Sequence, residues 1–390
     1  MQLLGKVFDD RLEFVIGGYY SNNREHLVNY SFIIPDFGFP TLINAGTTTS
    51  RAIAGYAQGT LDTGLAGFKL TAGVRYTSER VSLVRDSIDH WLEPAFAPFY
   101  ADGRFITPQV DTFKKPSWTL GLQNQVTDSL LLYANTRRSF RSGGFNFQAP
   151  PTPGFGSVSG GEYRPEIATD VEFGAKYRGR AGDMPVRFNL ALYNMWVSNV
   201  QRSNYVFIYD NLAGITVNVP KAKIKGFELD GTIEPAKWLK LGGSLNYTDA
   251  RFTSNQVPVL GTGGGTTFAT YDTYPDTPKW SGTFYADVTV PVNERFDATL
   301  RGDVYAQTSN YYSSTGKSLN LNSQIAGYAL ANFRLGIEER NGGLSFAALL
   351  KNAFDKEYYT GGIGFANLFG MNLVVPGDPR TFLFEVGYKF

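Results

Sequence analysis

Period-2 alternation constrains this chain more than any other feature of its sequence. From Arg295 to Tyr305, the residues Phe296, Ala298, Leu300, Gly302 and Val304 fall on one side of an extended backbone, and Arg295, Asp297, Thr299, Arg301, Asp303 and Tyr305 on the other. The pattern recurs with Leu239, Leu241, Leu245 and Tyr247 opposite Lys240, Ser244 and Asn246. It recurs with Leu70, Ala72, Val74 and Tyr76 opposite Lys69, Thr71, Arg75 and Thr77, and with Val171, Phe173, Ala175 and Tyr177 opposite Asp170, Glu172 and Lys176. Successive side chains of a strand point to opposite faces, so each segment is a strand with one apolar and one polar face. A soluble sandwich turns the apolar face to a core and the polar face to water. A membrane barrel turns the apolar face to lipid and the polar face to a wet lumen. A single strand does not separate the two.

Three features of the whole chain do. Several alternating runs extend about 10 to 16 residues, past the globular mode of about 5–6 and enough for a tilted strand, which needs about 9–11 to cross a bilayer. The connections alternate in length. Short turns fall near Asp62–Gly64, Thr127–Asp128, Gly179–Asp183, Glu234–Lys237, Val292–Glu294 and Arg340–Gly343. Long segments fall near 23–47, 81–110, 141–163, 203–214, 253–277, 309–325 and 353–379. Short periplasmic turns opposite long extracellular loops mark outer-membrane barrels. Finally, the last strand sets Phe382, Phe384, Val386, Tyr388 and Phe390 on one face. Alternation ending on an aromatic resembles the C-terminal assembly signal of bacterial outer-membrane barrels, with Phe390 as its terminal residue. The expected fold is all-β: an antiparallel transmembrane β-barrel of which about 14 strands are present. Arg75, Arg187, Arg301 and Arg334 fall on the polar face, where they avoid the cost of about 2–4 kcal/mol for a lipid-facing arginine at mid-bilayer.

Composition excludes other classes. The 36 basic and 35 acidic residues leave a net charge of +1, without the basic excess of a nucleic-acid binder. There is no cysteine, and His26 and His90 are the only histidines. That leaves no thiolate metal site and no convincing base for a nucleophile, so neither an enzyme nor a metal centre is expected. The run Gly261–Gly265 has no following lysine and helix, and is a loop tip rather than a phosphate cradle. No apolar stretch approaches the roughly 18 residues of a membrane helix. The N-terminus has no signal-peptide pattern, so the sequence is expected to begin within a longer protein. The 23 Tyr and 30 Phe suit aromatic girdles.

Several words along the chain resemble a known family. They are LYANTRRSFRSGGFN (132–146), YRPEIATDVEFGAKYRG (163–179) and NVPKAKIKGFELDGTIE (218–234), the last with Gly226, Phe227 and Glu228. A fourth is LSFAALLKNAFDKEY (344–358), with Asn352, Phe354, Asp355 and Tyr358, and the terminal strand from Pro379 is a fifth. In this order they resemble the barrel of TonB-dependent receptors, with Val219 and Ala353 as departures. The resemblance implies a barrel of about 22 strands, with residues 1–390 as one domain, its C-terminal portion, and with plug, TonB box and first strands not in this sequence. Two unpaired edges would then leave residues 1–390 alone as an open, curved sheet or a forced closure. The resemblance also implies the bacterial outer membrane, a surrounding of lipid and lipopolysaccharide, and the barrel assembly machinery. It implies uptake of a ferric siderophore or similar small solute, energised by a TonB–ExbB–ExbD complex acting on the N-terminal part, without a cofactor. The alternative is a complete passive, porin-like channel.

On that reading Arg137, Arg138 and Arg141, entering a loop with Gly143, Gly144 and Phe145, are candidates to meet an anionic chelate, since guanidinium pairs with carboxylate and catecholate oxygens. The alternative is a strand end facing lipopolysaccharide phosphates or solvent. Tyr205, Tyr209, Tyr271, Tyr311 and Tyr312, with Tyr274, are candidates to stack on a ligand; the alternative is loop packing or an interfacial girdle. Trp91, Phe96, Phe99 and Tyr100 are candidates for a hydrophobic lid.

Overall fold

The computed structural model describes residues 1–31, 42–85, 108–148, 161–208, 211–260, 266–340 and 342–389. Fifteen strands form one antiparallel sheet in chain order. They are β1 (Gln2–Val7), β2 (Leu12–Ser31), β3 (Leu42–Asp62), β4 (Phe68–Arg85), β5 (Gln109–Thr127), β6 (Leu130–Arg141), β7 (Glu166–Ala181) and β8 (Met184–Ile208). The sheet continues through β9 (Asn211–Ala236), β10 (Leu239–Ser254), β11 (Trp280–Pro291), β12 (Phe296–Gln307), β13 (Tyr328–Glu339), β14 (Gly343–Lys351) and β15 (Thr381–Lys389). β1 and β15 stand at the two ends of this order. Each strand pairs with its sequence neighbour, as in an up-and-down barrel wall.

The alternation predicts the faces correctly. Register places Val74, Trp118, Phe173, Leu245, Leu300 and Leu335 on one side of the sheet. Large apolar side chains stay open there: Val74 is 56% exposed, Phe173 59%, Phe284 58% and Phe384 83%. In water this surface would be an aggregation hazard; against lipid it is the expected exterior. The opposite side carries ion pairs. Arg187 meets Asp230, Arg301 meets Asp287 and Asp303, and Arg334 meets Glu338 and Glu385. Arg75 lies over the rings of Tyr19 and Tyr56.

Two findings differ from the sequence expectation. β1 is an additional strand, joined to β2 by a turn in which Phe8, Asp9 and Asp10 all have positive φ. No glycine marks that turn, so the usual signal is missing. In addition, several segments expected as loops are strand. β2 and β3 stay paired to Ser31↔Leu42, and β8 and β9 run 25 and 26 residues to Ile208↔Asn211. Apolar alternation fades there, as in Gly46-Thr47-Thr48-Thr49-Ser50, yet β-branched residues and continued pairing satisfy the backbone N–H and C=O groups.

The buried core does not lie behind the apolar face. Val197, Val200, Ala213, Ile215, Val217, Val219, Ala222, Val257, Ala269 and Tyr271 form one cluster, where the hairpin of Gln256–Leu260 and Thr266–Thr270 packs on the upper part of β9. Three further hairpins stand at the same loop end: Gly144–Phe145 with Glu162–Tyr163, Asn310–Tyr311 with Gln324–Ile325, and Tyr359–Phe365 with Met371–Pro376. A one-turn helix, Ala366–Phe369, links the strands of the last.

Two of the recognisable words are structural locks. Asn352, 4% exposed and at φ 45°, donates to Lys356 O (2.9 Å) and Asp378 O (3.1 Å) and accepts from Lys356 N (2.8 Å). Asp355 accepts from Arg380 N at 3.1 Å. Together they tie the start of the 351–381 connection to its end. Gly226 is required because a Cβ there would run into Tyr247 O and the Tyr193 hydroxyl.

Candidate functional site

Side chains from four chain segments converge on a cleft of about 250 Å3 at the loop end. β8 supplies Arg202 to Tyr205, the segment after the 256–270 hairpin supplies Tyr271, Pro275 and Asp276, the 307–328 connection supplies Tyr312 to Thr315 and Asn320, and the last hairpin supplies Gly362 to Gly364. β8 reaches the cleft only because it continues far beyond one membrane crossing. Gly362 allows the last hairpin to close on the site: a Cβ there would lie 2.5 Å from Leu373 O and 2.9 Å from the Tyr312 ring.

The connections are pinned by their own hydrogen bonds. Thr273 Oγ1 donates to Ser313 O at 2.6 Å and accepts from Gly316 N at 2.9 Å. Asn320 Nδ2 donates to Thr315 Oγ1 at 2.9 Å, and Asp276 N donates to Tyr311 O at 2.7 Å. The Arg202 guanidinium lies 4.6 Å from the Tyr274 ring and 5.9 Å from the Phe252 ring, and Nη1 donates to Gln201 O at 3.0 Å. Stacking on aromatic rings holds the planar group in one orientation.

Four buried polar atoms of residues lining the cleft have no hydrogen-bond partner among the described residues: Arg202 Nε, Tyr271 Oη, Tyr312 Oη and Asn320 Oδ1. A buried polar group left unpaired is unfavourable, so such atoms mark a place for water or a ligand. Burial raises the pKa of the Tyr271 phenol, with the Asn204 side chain offsetting part of the rise. Burial likewise raises that of the Asp276 carboxyl, against the opposing charge of Arg202. Tyr312 is raised by burial alone. The phenols are therefore neutral donors at ordinary pH. The cleft offers a cation, hydroxyls, an amide oxygen and an aromatic flank, with Tyr205 and Phe365 rings 4.9 Å apart. Its volume falls below the roughly 300–1,000 Å3 of a drug-sized site, so it fits one arm of a larger ligand.

Tyr205, Tyr271 and Tyr312 all line this cleft, although Tyr271 is only 1% exposed and serves as a wall. Tyr311 does not line it, and its ring lies under Lys317 Nζ at 5.8 Å. Tyr209 lies outside the described residues, as do Phe390, His90, Gly261–Gly265 and the 91–100 aromatics. Phe145 sits in another hairpin, beside Asn146, whose amide exchanges hydrogen bonds with Thr216 of β9 at 2.8 and 2.7 Å.

The arginine trio is divided by the strand it occupies. All three residues belong to β6. Arg137 points to the polar side and is held by Asp170 (3.1 Å) and Glu172 (2.8 Å), beside Tyr133, Lys176, Asn189, Glu228 and Asp230. Arg138 stands opposite Trp118 on the apolar side. Arg141 returns to the polar side, opposite Glu166. Arg202, Asp276 and Asn320, absent from the sequence candidates, are brought to the cleft by tertiary structure. Their segments carried no spacing that would mark them.

Residues 2–352 match the family model described as "TonB dependent receptor-like, beta-barrel". Among solved structures, the ferric yersiniabactin uptake receptor of Yersinia pestis aligns with 100% of this chain and 53% of its own, at a TM-score of 0.76 and 16% identity. A siderophore receptor of Acinetobacter baumannii aligns with 100% of this chain and 55% of its own, at 0.73 and 14%. A copper transporter aligns with 100% and 57%, at 0.70 and 17%. At such identities the likeness concerns the fold. The chain spans about half the length of these structures.

Proposed function

The chain belongs to the TonB-dependent receptor family, and from that premise we propose that it is the C-terminal wall of an outer-membrane receptor that takes up a scarce metal chelate, first of all a ferric siderophore. Family proteins are transport receptors rather than enzymes, which agrees with a cleft built for recognition. The observation that carries the reading is the set of unpartnered groups on Arg202, Tyr312 and Asn320 at the loop end. An anionic, oxygen-rich arm of a chelate would accept from Arg202 Nε and Tyr312 Oη, donate to Asn320 Oδ1, and lie against Tyr205. Desolvated charge-assisted hydrogen bonds of this kind are the strong ones. The named relatives support iron chelates as cargo, and the copper transporter among them extends the class to other metals. The ligand would be released inward by work done through a TonB–ExbB–ExbD complex on parts of the receptor outside this chain.

The test uses the full-length receptor in detergent, titrated with ferric catecholate, hydroxamate and carboxylate siderophores, with intrinsic fluorescence as readout. Arg202→Gln combined with Tyr312→Phe should weaken the preferred ligand more than tenfold, about 1.4 kcal/mol. Unchanged affinity would remove the cleft from recognition. Uptake in cells that persisted when the proton-motive force was collapsed would favour the passive channel.

A further inference from the structure

The loop-end cleft is lined by one cation and one anion, Arg202 and Asp276, and the two do not meet. Opposite charges on neighbouring segments close into a charge-assisted hydrogen bond when nothing holds them back. Here each is held. The Arg202 guanidinium lies 4.6 Å from the Tyr274 ring, and its Nη1 donates to Gln201 O. Asp276 has φ 51°, and its N–H donates to Tyr311 O at 2.7 Å. Outside glycine the left-handed conformation is uncommon, and strained backbone of this kind collects at ligand sites. The Asp276 carboxylate, open to solvent at the edge of the cleft, has no hydrogen bond and no ion pair among the described residues.

The unpartnered groups of the cleft divide by sign. Arg202 Nε and the Tyr312 hydroxyl offer protons, whereas Asn320 Oδ1 and the Asp276 carboxylate only accept them. A wholly anionic group would satisfy the donors, but it would face Asp276 with a like charge and leave Asn320 Oδ1 without a proton. A wholly cationic group would reverse the fault, opposing Arg202. Only a group that carries both charges answers all four. With about 250 Å3 to fill, those charges must sit on neighbouring atoms.

We propose that the cleft takes a zwitterionic α-amino acid end of the chelate, with its carboxylate on Arg202 Nε and the Tyr312 hydroxyl and its ammonium between Asp276 and Asn320 Oδ1. Asp276 is then the residue that sets specificity, because it rejects an arm that carries negative charge alone. The inference rests on the reading of this cleft as the recognition site for a metal chelate. It also carries a pH dependence. The titratable groups around Asp276 are Arg202 on β8, Tyr271 and Asp272 on its own segment, and Tyr312 and Lys317 on the 307–328 connection. Gly362 to Gly364 bring none, and of these groups Arg202 is the one that acts on the Asp276 charge. Burial raises the pKa of the free carboxyl against Arg202, and a bound ammonium would draw it back down. Affinity for the zwitterion is therefore full above the free carboxyl's pKa and falls as the pH drops through it.

The experiment titrates the full-length receptor in detergent with three ferric trihydroxamates that differ only in a pendant arm, read by intrinsic fluorescence. One arm ends in a free α-amino acid, one in its N-acetyl derivative and one in its α-amide. The wild type should bind the first at least tenfold more tightly than either of the others, because a site built for both charges rejects an analogue lacking one. Asp276→Asn keeps the shape and tolerates the left-handed backbone. It should bind the N-acetyl probe as well as the free amino acid, and should lose the fall in affinity at low pH. Should that variant not fold, the three probes and the pH profile on the wild type decide the same question. Equal or tighter binding of the N-acetyl probe by the wild type overturns the proposal. So does failure of all three probes where a ferric catecholate or carboxylate binds, and in both cases the chelate reading stands. A receptor that binds no ferric chelate of any class defeats that reading itself.

Discussion

The wall has a tall side and a low side. β2 to β5 run 20, 21, 18 and 19 residues, and β8 and β9 run 25 and 26. β11, β12 and β13 run 12 each, and β14 and β15 only 9. Both sides share the same apolar band. Ile16, Ile53, Val74 and Leu192 face out on the tall side, and Phe284, Leu300, Leu335 and Phe346 on the low side. They differ in what stands above it. The tall strands continue as paired hairpins with cations on their outer face. The low strands stop after about one crossing, and their chain enters the loop-end connections that build much of the cleft. Bilayer thickness therefore fixes the band, whereas the length beyond it is free for recognition.

The largest expected effect tests the band itself. Leu335→Arg on the low side should destabilise the folded receptor by about 2–4 kcal/mol, whereas Asn22→Arg, above the band on the tall side, should change stability by about 0–1 kcal/mol. Guanidinium unfolding of the full-length receptor in liposomes reads both. Similar losses for the two would mean that the sides do not share one membrane level.

The next effect concerns the cleft. Gly362→Val places atoms against Leu373 O and the Tyr312 ring, while Gly361 has no heavy atom within 4 Å of an added Cβ. Ligand affinity should drop at least tenfold, about 1.4 kcal/mol, for Gly362→Val and stay within twofold for Gly361→Ala. Equal affinities would show that the last hairpin does not shape the site.

The smallest effect separates the polar interior from the ligand site. The Arg137 side chain is 48% exposed, so solvent screens its pairs with Asp170 and Glu172. Arg137→Gln should reduce stability by about 1 kcal/mol or less and leave ligand affinity unchanged. A tenfold loss of affinity would return Arg137 to the recognition surface.

Much of the wall was legible in the sequence because a strand has only two faces. Once Leu300 and Arg301 alternate, one must face lipid and the other the interior, and the short turns at Asp62, Thr127 and Arg340 fix where the direction reverses. The same rule divides Arg137 from Arg138, yet their closeness in sequence suggests a cluster that the pleat forbids. β1 escaped because the turn at Phe8–Asp10 uses three non-glycine residues at positive φ. The upper hairpins escaped because, above the bilayer, a strand no longer needs an apolar face.

The sequence by itself determined the two faces of the sheet and most of the turns at one end, since alternation and turn chemistry are local properties of the chain. Only the tertiary structure decided which loop-end residues meet. Arg202, Tyr271, Tyr312 and Gly362 lie on segments whose approach depends on how far β8 extends and how the last hairpin folds over. The same is true of Arg51 and Arg80, which are unremarkable in their own strands. They come to stand directly opposite each other only through the register of β3 against β4, because register is set by the pairing of two strands and not by either one alone.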